Sequence, residues 1–169
     1  GNTTAAAGLW RRSRALFPDR RRSIDQIIDL LERDEGDVRI INLKAPVNTM
    51  LDDYTPIPEL SGRRIYFTRE YEATGEDIWM ADRLSAGLFE ARPISVLNTE
   101  GSESPLAVSP DGGELLLFGS YRGGPGRGDL FRSTLKRSGW SRAEALPAPV
   151  NSPHFDADGF FTADGAAIL

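Results

Sequence analysis

From residue 37 onward, apolar residues come in short runs broken by Gly, Pro, Asp and Ser: "DVRIINL", "GRRIYFT", "EDIWMAD", "LAVSPDG", "GELLLFGS", "GDLFRST" and "GFFTADGAAIL". Runs of this length with turn residues between them predict short strands and an all-β domain over 37–169. The first 36 residues follow another pattern. Ser23 is a good helix N-cap and Gln26 stands three residues on, in the manner of a capping box. Ile24, Ile27, Ile28 and Leu31 fall on one face at helical spacing, and Gly36 suits the position just past a helix end. Residues 23–36 are therefore expected to hold a short amphipathic helix over 24–34, which needs a partner surface because so short a helix is marginal alone. Residues 1–22, small and polar and then rich in Arg, read as a linker.

The strands repeat. "ELSGRRIYFTRE" aligns with "SPDGGELLLFGS", so that Phe67 and Phe118 coincide at a separation of 51. Asp77 and Asp129 are 52 apart, as are Gly87 with Gly139 and Ala91 with Ala143. Asn48, Asn98 and Asn151 recur at separations of 50 and 53, and Asp111 and Asp164 at 53. A period near 50 with several strands per unit is the mark of a propeller blade, a small antiparallel sheet stacked against its neighbours. The run "ELLLF" is nearly all apolar because a strand inside a blade is covered on both faces. Asp111-Gly112 supplies the tight turn before it, with Pro110 fixing the backbone ahead of the turn.

The stretch "SPDGGELLLFGSYRGGPGRGDLFRS", continued by "GWSRAEAL" and "PVNSPHFDADGFFTADG", resembles the WD40-like repeats of TolB-type β-propellers. Ser-Pro-Asp-Gly before an apolar strand, a Gly-rich loop and Gly-Asp before hydrophobic and aromatic residues carry the likeness, over roughly 37–169. The first unit departs from it, with "LSG" in place of Pro-Asp-Gly. The resemblance implies a partial propeller of about two blades plus edges of flanking ones, the remaining blades belonging to the same protein. It also implies a bacterial protein that is periplasmic, outer-membrane-associated or secreted, and that binds protein or peptide.

Charge and composition narrow the function. The chain carries 20 basic and 25 acidic residues, a formal net charge of -5, which argues against a nucleic-acid partner. It has no Cys, so disulfides and thiolate metal sites are excluded. No apolar run reaches the roughly 18 residues that span a bilayer. The start without Met and the stop inside "GAAIL" suggest an excerpt of a longer chain. Two blades alone are then expected to leave broad apolar faces bare.

Candidate chemistry is sparse. Asp53, Glu103 and Asp156 each precede an inner strand, where blades converge on the central channel. They form either a partial acidic ring that attracts a cation or basic peptide, or caps for their own loops. Asp77 and Asp129 stand just before Trp79 and Phe131 and read as strand-start caps, with a ligand carboxylate as the other reading. "DADG" at 156–159 opens like a calcium loop but carries Ala167 at the twelfth position, so no metal and no cofactor is expected. His154, the sole histidine, has no partner motif, and the chain has no G-x-S-x-G elbow. "GSYRGGPGRGD" lacks the ending of a phosphate-binding loop and reads as a hairpin loop whose Arg122 and Arg127 are placed to touch a partner. The expected function is a non-enzymatic platform for protein or peptide. The alternative is the propeller part of an enzyme, gating a serine peptidase or carrying a hydrolase or lyase site in its channel.

Overall fold

A computed structural model describes residues 3–32, 41–73, 75–85, 87–126 and 128–169. Two compact units divide the chain, Gly1–Ile41 and Asn42–Leu169. In the first, helix α1 (Thr3–Ser13) and helix α2 (Arg21–Glu32) are joined through a 3-10 turn, Pro18–Arg20. The stretch expected to be linker thus carries a helix of its own. Its Ala-rich start is strongly helix-forming, and it packs against α2, with Ala7 on α1 and Ile24 and Ile28 on α2 buried. Arg14 pairs with Asp25 at 2.8 Å, and Arg11 pairs with Glu32. Helix α2 begins two residues before Ser23 rather than after it, because the Pro18 turn delivers the chain already coiled. Gly36 lies outside the described residues.

The second unit is a partial all-β propeller. Blade one is β1 (Asp52–Pro58), β2 (Arg64–Tyr71), β3 (Gly75–Arg83) and β4 (Phe89–Pro93), antiparallel in that order. Blade two is β5 (Glu103–Val108), β6 (Glu114–Gly119) and β7 (Asp129–Lys136), with its outer edge made of β8 (Gly139–Trp140) and β9 (Glu144–Ala145), both paired to β7. A hairpin follows: the Phe160 N–H donates to Leu169 O at 3.0 Å, and Phe161 bridges Ile168.

The three turns at one end repeat in detail. Ser109 Oγ donates to Asp111 Oδ1 at 2.6 Å, which also accepts the Gly113 N–H at 2.9 Å, and Gly112 takes φ +74. Thr162, Asp164 and Gly165 (φ +70) do the same, with the Thr162 hydroxyl 2.6 Å and the Ala166 N–H 3.1 Å from Asp164. These bonds hold both Asp carboxyls below their usual range. In the first turn Ser61 replaces the Asp, and its hydroxyl accepts the Arg63 N–H at 3.2 Å.

Ladder register corrects one part of the expected alignment. Tyr54 faces Thr68 in blade one and Ser104 faces Phe118 in blade two, while Asp77 and Asp129 face Arg69 and Gly119. The counterpart of Phe67 is therefore Leu117, at a separation of 50, and Phe118 answers to Thr68. A one-residue slip moves a side chain to the opposite face of the sheet. Phe67 accordingly packs with Val47 and Ala81, whereas the Phe118 ring meets Phe155 edge-on at 5.4 Å on the other side of its blade. The period is 50 through β2 and 52 from β3 onward because the loop after β6 is two residues longer than the loop after β2.

Between the blades lies one apolar seam: Tyr66, Ile78, Met80, Ile94 and Leu97 from blade one against Leu115, Leu117, Phe131 and Trp140 from blade two. The Tyr66 and Trp140 rings meet edge-on at 5.8 Å, and Thr68 and Ser104 share a hydrogen bond of 2.7 Å across the seam. Each fully buried Leu, Ile or Phe here contributes about 1.5–3 kcal/mol. The outer blade faces are not bare as expected. Val47 and Leu43 pack on Phe67 and Ala81 at one end of the stack, while Phe161 and Ile168 pack on Leu116 and Leu130 at the other. Apolar exposure remains on the last hairpin, at Phe160 (57%) and Leu169 (67%), and in loops, as at Met50, Leu84, Leu88 and Phe155.

Candidate functional site

The end opposite the turns holds the crossovers from each outer strand to the next inner one. Their geometry is set by an Asn. Asn98 Oδ1 accepts the Ile78 N–H at 2.9 Å and its Nδ2 donates to Ile78 O at 3.2 Å. Asn151 does the same to Leu130 at 2.8 Å in both directions, and also donates to Leu146 O at 2.8 Å. Each amide group thus extends the ladder for one more residue after the outer strand has turned away. Asn48, the first of the series, is exposed.

One residue after each Asn comes Thr or Ser, and four residues later the acid singled out from the sequence. Asp53 accepts from the Thr49 N–H and hydroxyl at 2.7 and 2.8 Å. Glu103 accepts the same pair from Thr99 at 2.8 and 2.6 Å. Asp156 takes the Ser152 N–H at 2.7 Å and its hydroxyl at 3.1 Å. The three acids therefore occupy one structural position, each engaged by its own crossover. Asp53 is further paired with Arg69 at 2.6 Å, both side chains 5% exposed. Gly119 occupies the Arg69 position in blade two, and a Cβ there would sit 2.8 Å from the Tyr121 ring. Tyr121 fills the space instead and donates to Leu97 O at 2.5 Å.

Glu103 is thus fully buried without a cation. Burial pushes its carboxyl up, the two Thr99 bonds pull it down, and Asp77 and Glu76 push it up again, leaving it raised. A carboxyl raised in the folded state favours folding below its unfolded pKa of about 4.3, and that contribution is lost as pH climbs through the raised value. Glu103→Gln removes the titration. The stability of the unmodified chain relative to this variant is expected to fall as pH rises from about 4.3 through the raised value. Urea midpoints of both proteins across that range check it, and a constant gap would refute the assignment.

Asp129 is buried and holds the Gly126 N–H with both oxygens at 3.0 and 3.1 Å, the capping role expected of it. Asp77 is half-buried, and burial raises its carboxyl. The Gly-rich loop is packed rather than free: a Cβ on Gly126 would lie 2.2 Å from His154 O. His154 donates its N–H to Ser152 Oγ at 3.1 Å. Arg127 lies outside the described residues.

Arg122 does face a cavity. An open groove of about 630 Å³ runs along the seam, between the crossover Ser95–Gly101 on one side and Ser120–Arg122 with Arg142–Ala143 on the other. Both arginines are exposed, and among the described residues neither guanidinium has an ion-pair or hydrogen-bond partner. Val96, 45% exposed, gives the wall an apolar spot, and Glu100 is the one carboxylate in the lining. The crossover wall is rigid, tied by the Asn98 clamp, the Tyr121 hydroxyl and the Thr99–Glu103 bonds. Arg142 was not singled out from the sequence. A cavity of this size with a few converging polar groups and a firm wall suits a ligand rather than a packing defect.

The same place one blade earlier is different. There a hollow of about 120 Å³ is lined by Met50, Leu51, Asp52, Glu70 and Glu72. At the 50-residue spacing of the first two strands Glu72 stands where blade two has Arg122, and at the 52-residue spacing of the later strands Glu90 stands where it has Arg142. Among the described residues no group of His, Cys, Asp and Glu is arranged to hold a metal ion. No helix among them is long and apolar enough to cross a membrane.

No family model matches the chain, and no curated protein matches it. Among solved structures it is similar to the crystal structure of TolB from Acinetobacter baumannii, at 22% identity and a TM-score of 0.47, over 70% of this chain. The alignment spans 26% of that chain, about a quarter of its length.

Proposed function

We propose that this protein is a propeller module that binds another protein or a peptide on the crossover end of its blades, using the groove at the seam. The observation that carries this reading is where the free groups lie. Blade faces are consumed by packing, and the acids Asp53, Glu103 and Asp156 are engaged by their own loops. Arg122 and Arg142 on one wall and the exposed Val96 on the other are left unengaged, and the crossover wall that carries Val96 is tied from behind. A preformed site loses little entropy on binding. The compartment, cell envelope or outside the cell, rests on the likeness of the repeats alone.

Site-specific photo-crosslinking tests the reading in cells that make the protein. A benzophenone side chain at Val96 is expected to give discrete protein adducts. The same group at Leu60, in the turn at the opposite end and 86% exposed, is expected to give none. Adducts at both positions alike, or at neither, would refute a binding end.

A further inference from the structure

The two blades carry opposite charge at corresponding positions. Where blade one has Glu72 and Glu90, blade two has Arg122 and Arg142. Repeat units share the residues that packing demands, as the Asn clamps and the acid caps do here. Neither arginine serves packing: both are exposed and unpaired among the described residues. The reversal takes place in a chain of net charge -5, and it brings two unpaired guanidinium groups to one groove whose lining holds a single carboxylate, Glu100. The acidic hollow at blade one is also the smaller, at about 120 Å³ against about 630 Å³.

From this we infer that the groove at the seam is selective for an acidic protein segment, bound extended along it with its carboxylates on Arg122 and Arg142. The inference rests on the reading of this end as a binding surface and names the chemistry of what binds there. An arginine fork meets a carboxylate with two parallel N–H donors, which fixes direction as well as charge. The groove runs from the outer edge, where Arg142 precedes β9, to the inner edge, where Glu100 precedes β5. Carboxylates are therefore drawn to its outer and middle part, and Glu100 repels them from the inner end. Val96 offers a small apolar contact to a side chain between two acids.

The test uses the 169-residue chain and a fluorescein-labelled peptide of alternating glutamate and alanine, six residues long, followed by fluorescence anisotropy. The same peptide with glutamine is the control. Expected are saturable binding of the glutamate peptide, weakening as salt is raised, and at least tenfold weaker binding of the glutamine peptide. Arg122→Glu combined with Arg142→Glu, which gives the groove the charges of the corresponding blade-one positions, is expected to abolish binding while leaving the thermal transition in place. Glu100→Gln is expected to tighten binding. Equal binding of both peptides, or binding within twofold in the folded double variant, overturns the inference. Failure of the glutamate peptide while crosslinks from Val96 persist would overturn the ligand class and leave the binding surface standing. Loss of both would remove the surface as well.

Discussion

Arg69→Ala is expected to lower the stability of the β unit by about 3–5 kcal/mol, the range for stripping one partner from a buried ion pair. Arg69 lies in β2 with its guanidinium 4.1 Å from the Trp79 ring centroid and 5.3 Å from that of Phe67. It donates to Asp53 at 2.6 Å and to the carbonyls of Pro46 and Val47 at 2.9 and 3.1 Å. Those carbonyls belong to the crossover that covers the blade-one face. Removing the arginine leaves Asp53 buried with only the Thr49 bonds, leaves two carbonyls without their donor, and opens space beside two aromatic rings. A domain of this size has about 5–15 kcal/mol in total, so a large part of it is at stake. Arg69→Met restores the packing but not the charge and should recover only a minor share. In a double-mutant cycle, Asp53→Ala is expected to cost clearly less in the Arg69→Ala background than alone, because the two side chains act as a unit. Urea unfolding followed by tryptophan fluorescence gives all four values. Additive losses would show that the pair contributes nothing beyond its separate parts.

The fold was legible because its determinants are local and repeated. Ser109-Pro110-Asp111-Gly112 specifies a turn by side chains that bond within five residues, so the turn can be read without knowing what surrounds it. Strand faces are less secure. The alignment of Phe67 with Phe118 matched chemistry at a separation of 51, while the backbone pairs at 50, and with a side-chain period of two that single residue decides which seam a ring enters. The length of the loop after β6 cannot be apportioned by eye between strand and loop, which is where the residue was misplaced. The first helix was missed for a different reason. Thr3–Ser13 has a weak apolar stripe of its own, and its helical state is tied to α2, a partner beyond the local pattern.

The site was legible in part, and the missing part has a physical cause. Asp53, Glu103 and Asp156 stood out because they recur, and recurrence marks what a blade needs in order to fold. The structure shows each of them bonded to the Thr or Ser four residues before it, a spacing the sequence displays but that gains meaning only once the crossover is seen to bend back. Arg142 does not recur. It comes to light through the spacing of the repeat, which puts Glu90 at its place 52 residues earlier, and through the groove, which sets it on the same wall as Arg122. In a repeat protein, positions where one unit breaks the rule of the others are free of the packing demand, and there the surface can be specified for a partner.

Recurrence predicts the second large effect, at Asn151. Its side chain is 2% exposed and makes three hydrogen bonds to the backbone of Leu130 and Leu146. Leu130 O has a second donor in the Leu146 N–H at 3.0 Å, but the Leu130 N–H has Asn151 Oδ1 as its partner. Asn151→Ala orphans that N–H in the interior, where an unsatisfied group costs about 1–3 kcal/mol, and it also removes a donor from the Leu146 carbonyl. A loss of about 2–4 kcal/mol is expected on that basis. Asn98→Ala should lose less, since Asn98 is only partly buried and makes two bonds, both to Ile78. Asn151→Asp separates the two halves of the clamp: a carboxylate still accepts from the Leu130 N–H but cannot donate to the two carbonyls and repels both, so it should not rescue stability. Hydrogen exchange gives a local readout, because the Leu130 amide is expected to lose its protection in Asn151→Ala while amides in blade one keep theirs up to the new global limit. Equal midpoints for the Asn98 and Asn151 variants, or an unchanged Leu130 amide, would mean that another group closes the ladder and that the amide clamp does not hold the blade edge in place.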